Sequence, residues 1–168
     1  MAVYFIADMH FDDDNIRRYE NRPFDTVQEM NDAIVANWNS TVEEDDEVYV
    51  AGDIGNVEYI SRLKGKKYLI KGNHDILSNE EYRRAGFEEC FDKPIIYEDF
   101  WMISHEPMYV SINTPYANIH GHTHNNPQIR TVSARSYCVC VERIDYTPIS
   151  FEDIVLAVQE EDSKLTDD

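Results

Sequence analysis

Positive charge is scarce in this sequence. Lysine and arginine number 15 against 33 aspartates and glutamates in 168 residues, a formal charge of −18. A long polyanion therefore meets repulsion over most of the surface, and stable binding of duplex nucleic acid is not expected. Cysteine is scarce too. Cys90, Cys138 and Cys140 are odd in number and lack a C-x-x-C spacing, which argues against both a disulfide framework and a cysteine-ligated zinc module. Cys138 and Cys140 stand two apart in a strand-like run and are expected to pack on one face. No stretch approaches the roughly 20 apolar residues of a membrane span. Residues 2–7 are too few, and lack the basic lead, for an export signal, so a cytoplasmic protein without a membrane partner is the expectation.

What is present suits a globular fold. Apolar residues make up 42% and aromatics 12% of the chain, and the length fits one domain over residues 1–168 with no repeat or linker to divide it. The acidic runs at 12–14 and 43–47 read as solvated faces, and the acidic end, 161–168, as a frayed tail.

Five short apolar runs, 3–7, 47–51, 67–71, 100–104 and 117–120, each stop at Gly, Asp, Asn or His, the pattern of buried strands opening onto polar loops. Between the first two, Thr26 with Glu29 spells a capping box, and Met30, Ile34 and Trp38 give an apolar helical stripe. Ser78 with Glu81 repeats the capping signal, and Ser150 with Asp153 gives a weaker version. Strand, helix, strand, short helix, strand, helix is the order of the first half. Runs at 94–97, 129–132 and 136–143 make the second half mainly β. The expected fold is α/β: two packed mixed sheets flanked by helices, in four layers.

The ends of those strands hold the chemistry. Asp8-Met9-His10 sets a carboxylate and an imidazole two residues apart, a spacing that can converge on one divalent cation and is also common by chance. Gly52-Asp53 and Gly72-Asn73-His74-Asp75 follow the next two strands, with glycines that let backbone approach a ligand. Ser104-His105-Glu106-Pro107 and His120-Gly121-His122-Thr123-His124 close the series. Three histidines within five residues of a buried strand end would each need a separate partner as packing, whereas a metal gives a common one. All six histidines of the chain fall in these clusters.

In the order D-x-H, G-D, G-N-H, H and G-H-x-H, from Asp8 to His124, the chain resembles the calcineurin-like metallophosphoesterase superfamily. The resemblance implies two divalent metal ions: one held by Asp8, His10 and His124, the other by Asn73, His105 and His122, with Asp53 bridging. Manganese leads among the candidates, and iron, zinc, cobalt or nickel suit the same mixed N and O donors. It further implies hydrolysis of a phosphomonoester or phosphodiester by a hydroxide between the metals, with His74 as proton donor to the leaving oxygen and Asp75 orienting it or touching substrate. The acidic surface points to small substrates such as nucleotides. Arg17 and Arg22, with Arg18, lie downstream of the first motif, placed either to grip a phosphate oxygen or to pair with nearby acids. His120 precedes the motif and reads as a core or supporting histidine. The stretch from His10 to Asp53 is similar to a compact bacterial or phage branch, which often reads H-F-G-H where this chain has His10-Phe11-Asp12-Asp13. A catalytically idle metal-binding scaffold of the same fold is the alternative reading, and the oligomeric state is not legible.

Overall fold

Strand β1 (Val3–Ile6) pairs in parallel with β2 (Glu47–Val50), β2 with β3 (Lys66–Ile70), and β3 with β4 (Phe87–Phe91), while β9 (Ile149–Ser150) lies antiparallel on the other side of β1. The computed structural model describes residues 1–111, 113–126 and 135–166. Its second sheet has the order β5 (Ile95–Tyr97), β6 (Trp101–Ser104), β7 (Ala117–His120) and β8 (Ser136–Cys138), parallel except for β5. The expected α/β architecture of two mixed sheets with flanking helices is the one observed. Among the described residues no helix is long and apolar enough to cross a membrane.

Each layer follows from local signals. Helix α2 (Val27–Thr41) starts at Thr26, whose hydroxyl accepts from Glu29 N while the Glu29 carboxylate accepts from Thr26 N. Its stripe of Met30, Ile34 and Trp38 is fully buried against one face of the first sheet, in a cluster with Ile6, Val48, Val50 and Leu69. Helix α3 (Asn79–Ala85) has the second capping box, from Ser78 to Glu81. The other face of the first sheet meets the second sheet through Phe5, Ala7, Ala51, Ile70, Ile103, Ala117 and Ile119. Ser150 caps helix α4 (Phe151–Thr166), which brings Ile154 and Val158 into that same inter-sheet core.

Several expectations needed correction. Helix α1 (Asp14–Tyr19), which was not expected, begins at the last residue of the acidic run at 12–14, and that run keeps its solvated character. Asp13 caps the helix by accepting from Asn15 and Ile16 N, and because the helix buries none of its residues it leaves no stripe in the sequence. Strand β4 escaped notice because Glu88 and Glu89 break its apolar run. The segment 136–143 is not one strand: β8 ends at Cys138, Ala7 bridges Cys140, and Val141–Arg143 turns into a 3₁₀ helix. There Ala7 N donates to Val139 O and Val141 N to Ala7 O, stitching the two sheets together at 2.8 and 3.1 Å. The short helix expected between β2 and β3 is likewise 3₁₀ (Val57–Arg62). Residues 161–166 of the expected frayed tail continue α4. The run at 129–132 lies outside the described residues.

Candidate metal centre

The parallel strands β1, β2 and β3 of one sheet and β6 and β7 of the other point their C-terminal ends toward a common edge, where loops between parallel strands gather functional groups. The loops are tied backbone to backbone. Asp8 N donates to Gly52 O and His10 N to Asp53 O, each at 3.0 Å, while Gly121 N donates to His105 O at 2.9 Å. Asp8 (φ 60°), His10 (50°), Asp53 (56°), His122 (69°) and His124 (45°) all take the left-handed conformation. For residues with a Cβ this costs on the order of 1–3 kcal/mol each, and such strain persists where the surroundings over-determine it, commonly at functional sites. The convergence of Asp8 and His10 therefore comes from two left-handed turns rather than from strand alternation.

Two nests of donor atoms result. In the first, Asp8 Oδ1 lies 3.5 Å from His124 Nε2 and 3.9 Å from His10 Nε2. Asp8 Oδ1 and His10 Nε2 are buried and have no hydrogen-bond partner, a cost of about 1–3 kcal/mol per group unless something else satisfies them. In the second, His105 Nε2 is 2.9 Å from Asn73 Oδ1 and 3.1 Å from His122 Nδ1, and Asn73 Oδ1 is 3.1 Å from His122 Nδ1. His105 Nδ1 faces Ala51 O at 2.8 Å, and a carbonyl can only accept, so Nδ1 carries a proton and Nε2 is the nitrogen turned into the nest. Three polar atoms from three loops thus converge within 3.1 Å of one another.

Asp53 faces both nests. Its Oδ2 is 3.5 Å from His10 Nε2 and 3.4 Å from His105 Nε2, while Oδ1 accepts from His74 N at 2.9 Å. Oδ2 is thus the oxygen that the two nests share. Burial and neighbouring charge compete within the nests. Burial pulls His105 down, but the hydrogen bond and charge of Asp53, with the charge of Asp8, push it up to about 9. Burial raises Asp8 to about 6 against the opposing pull of His105 and His124, and burial lowers His10 to about 4. Asp8, His10 and His124, and separately Asp8, Asp53 and His105, each bring three ligand atoms within 4.8 Å of one another. These residues fit a pair of divalent cations, with borderline N and O donors and no sulfur among them.

Space for this arrangement depends on glycine. A Cβ on residue 72 would run into Asp53 Oδ1 and lie 2.8 Å from both Asp53 N and His105 Nδ1.

The remaining expected residues fall in different places. His74 is exposed, with its ring 5.3 Å from the ring of His10 at the mouth of the site. Asp75 does not orient it: the buried Asp75 carboxylate accepts from Asp53 N, Ile54 N and Gly72 N at 2.7–3.1 Å, bracing the second loop against the third. Arg17 donates to Asp14 and to Phe24 O. Arg22 is turned inward, its guanidinium donating to Asp8 O, Met9 O and Glu142, and so does not face a substrate. Both arginines follow the pairing alternative. His120 is buried, with Nδ1 2.8 Å from Gly121 O, a supporting position.

Two contributors, Glu142 and Cys140, carried no functional signal in the sequence, and Arg22 carried an ambiguous one. Glu142 lies 3.0 Å from His124 Nδ1, and Cys140 Sγ donates to Asp8 Oδ2 at 3.2 Å while accepting from His124 N. Arg22 buttresses the first motif. They come from outside the motifs, and only the stitch between the sheets brings residues 140–142 beneath β1.

A family model described as calcineurin-like phosphoesterase matches residues 1–152. An uncharacterized protein of Methanocaldococcus jannaschii is 35% identical over 94% of this chain and 91% of its own length. The gene 66 protein of Mycobacterium phage L5 is 27% identical over 72% of this chain, spanning 59% of the phage protein. Among solved structures, a protein of unknown function from Aquifex aeolicus superposes with a TM-score of 0.71 at 27% identity, covering 93% of this chain and 98% of that one.

Proposed function

Because the chain belongs to the calcineurin-like phosphoesterase family, we propose that it hydrolyses phosphate mono- or diesters of small substrates, nucleotides foremost, with a pair of divalent cations, manganese first among them. The observation that carries the proposal is the position of Asp53 Oδ2, within 3.5 Å of a histidine nitrogen from each nest. Asp8, His10 and His124 would hold one cation, Asn73, His105 and His122 the other, and Asp53 both. When bound, such a pair supplies a nucleophilic water at neutral pH and positive charge for the phosphoryl oxygens.

The chain's own residues prepare this chemistry. The proton on His105 Nδ1 is fixed by Ala51 O, and the Glu142 carboxylate fixes the corresponding proton of His124, so both rings offer Nε2 inward. Asp75 holds the Asp53 and Asn73 loops in register through three backbone amides, limiting rearrangement when charge develops. His74, exposed beside His10, would donate a proton to a leaving oxygen, while its backbone N–H donates to Asp53. The formal charge of −18 favours small substrates over polymers.

The test is an assay of p-nitrophenyl phosphate and bis-p-nitrophenyl phosphate with metal-free protein reloaded with manganese, zinc, iron, cobalt or nickel, followed by a nucleotide panel. Turnover that requires added cation supports the proposal. Two bound cations with no turnover on any ester would overturn the hydrolase reading in favour of an idle scaffold.

A further inference from the structure

Arg22 and Glu142 form a buried ion pair 120 residues apart in sequence, beneath the first nest. The Arg22 side chain is fully buried and that of Glu142 is 4% exposed. Burying two charges is costly unless their geometry and remaining hydrogen bonds are good, so such a pair is weak evidence for stability by itself. Its connections are more informative. Arg22 Nε and Nη2 approach Glu142 Oε1 at 2.8 and 2.7 Å, Nη1 donates to Met9 O at 2.9 Å, and Nη2 donates to Asp8 O at 2.7 Å. The fork thereby grips the two carbonyls between the left-handed residues Asp8 and His10. The same Glu142 oxygen accepts from His124 Nδ1, leaving Nε2 toward Asp8 Oδ1. The ion pair thus touches the support of all three residues of the first nest. The Asn73, His105 and His122 nest is held mainly by Ala51 O and the Asp75 carboxylate, and it meets the first nest where Asp8 Oδ2 accepts from His122 N at 2.8 Å, an oxygen that Arg22 and Glu142 do not touch.

The geometry points to Arg22 and Glu142 as positioning residues that set the affinity of the cation at Asp8, His10 and His124 selectively over that of its neighbour. The inference rests on the two-cation reading above and deepens it. Glu142 orients the imidazole of His124 and maintains its tautomer, and partners of this kind typically contribute about 10–100-fold to metal affinity. Arg22 holds the turn that aims Asp8 and His10. A lysine cannot replace it, because one ammonium on a flexible stem does not reproduce a planar fork serving two carbonyls and a carboxylate.

The experiment is titration of metal-free protein with Mn²⁺ by calorimetry, with the electron paramagnetic resonance spectrum followed at each step, for wild type, Glu142→Gln and Arg22→Lys. The expected result for both variants is a fall of about 10–100-fold in one of the two affinities with the other within about threefold, and a single-ion spectrum where wild type shows a spin-coupled pair. Melting of the metal-free proteins is measured alongside. Should Glu142→Gln not fold, Arg22→Lys, which retains a buried charge opposite Glu142, answers the same question. Two affinities within threefold of wild type in the folded variants would overturn the positioning role. Two affinities falling together with the melting temperature would overturn it equally, by showing a merely structural pair. Failure of the wild type to bind manganese at all would instead remove the cation pair, and the proposal with it.

Discussion

Replacing Gly72 with Ala isolates the packing of the site from its chemistry, because the substitution touches no expected ligand and adds one methyl group. That Cβ would overlap Asp53 Oδ1 and sit 2.8 Å from Asp53 N and His105 Nδ1, where ordinary contact begins near 3.4 Å. Two of the three atoms belong to backbone or to a ring pinned by Ala51 O, so the loop itself has to move. Overpacking of this kind costs about 1–3 kcal/mol. Displacing Asp53 also endangers its hydrogen bond from His74 N, and a bond to a charged group contributes about 1.5–3 kcal/mol. Together these give a loss of about 2.5–6 kcal/mol in the metal-free protein. At about 2–4 °C per kcal/mol for a domain of this size, melting should fall by roughly 5–24 °C. Because Asp53 faces both nests, the two manganese affinities should drop together, unlike the selective loss expected at Glu142. Gly86→Ala is the control. There φ is 122° but the new Cβ comes no closer than 3.5 Å to Ile60, so stability falls through backbone strain while metal binding does not change. Calorimetric melting and manganese titration of the two variants decide the matter. Wild-type manganese affinity in Gly72→Ala would refute the argument that the loops are packed to contact around Asp53.

Asp53→Asn should lower occupancy at both nests, read as metal-to-protein ratio by elemental analysis, and an unchanged ratio would contradict a shared carboxylate. His74→Ala should lower turnover by about 10²–10⁴-fold with both cations retained, whereas near-normal rates would remove it from proton transfer. Trp38→Ala, deep in the α2 stripe, should cost about 3–5 kcal/mol in denaturant unfolding. Ser78→Ala should cost about 1 kcal/mol through loss of the α3 cap, without effect on metal content.

The sequence by itself determined the parts whose causes are local. Thr26 with Glu29 and Ser78 with Glu81 cap helices because a side chain and an amide three residues apart meet without help from the rest of the fold. Apolar runs that stop at polar residues marked β1, β2, β3, β6 and β7, and the ordered histidines, aspartates and Asn73 marked which loops would carry donor atoms. Helix α1 and strand β4 were not legible, since one buries no residue and the other is interrupted by Glu88 and Glu89. Tertiary structure alone decided how the donors are supported. From its place after Asp8, Arg22 could equally have gripped a phosphate or paired with an acid, and it became an internal brace because Glu142, 120 residues away, is carried beneath it by the crossing of the chain between the sheets. Asp75 braces amides instead of His74 for the same kind of reason. Hydrogen-bond partners of buried charge are chosen by what the fold brings within about 3 Å, and sequence distance carries no information about that.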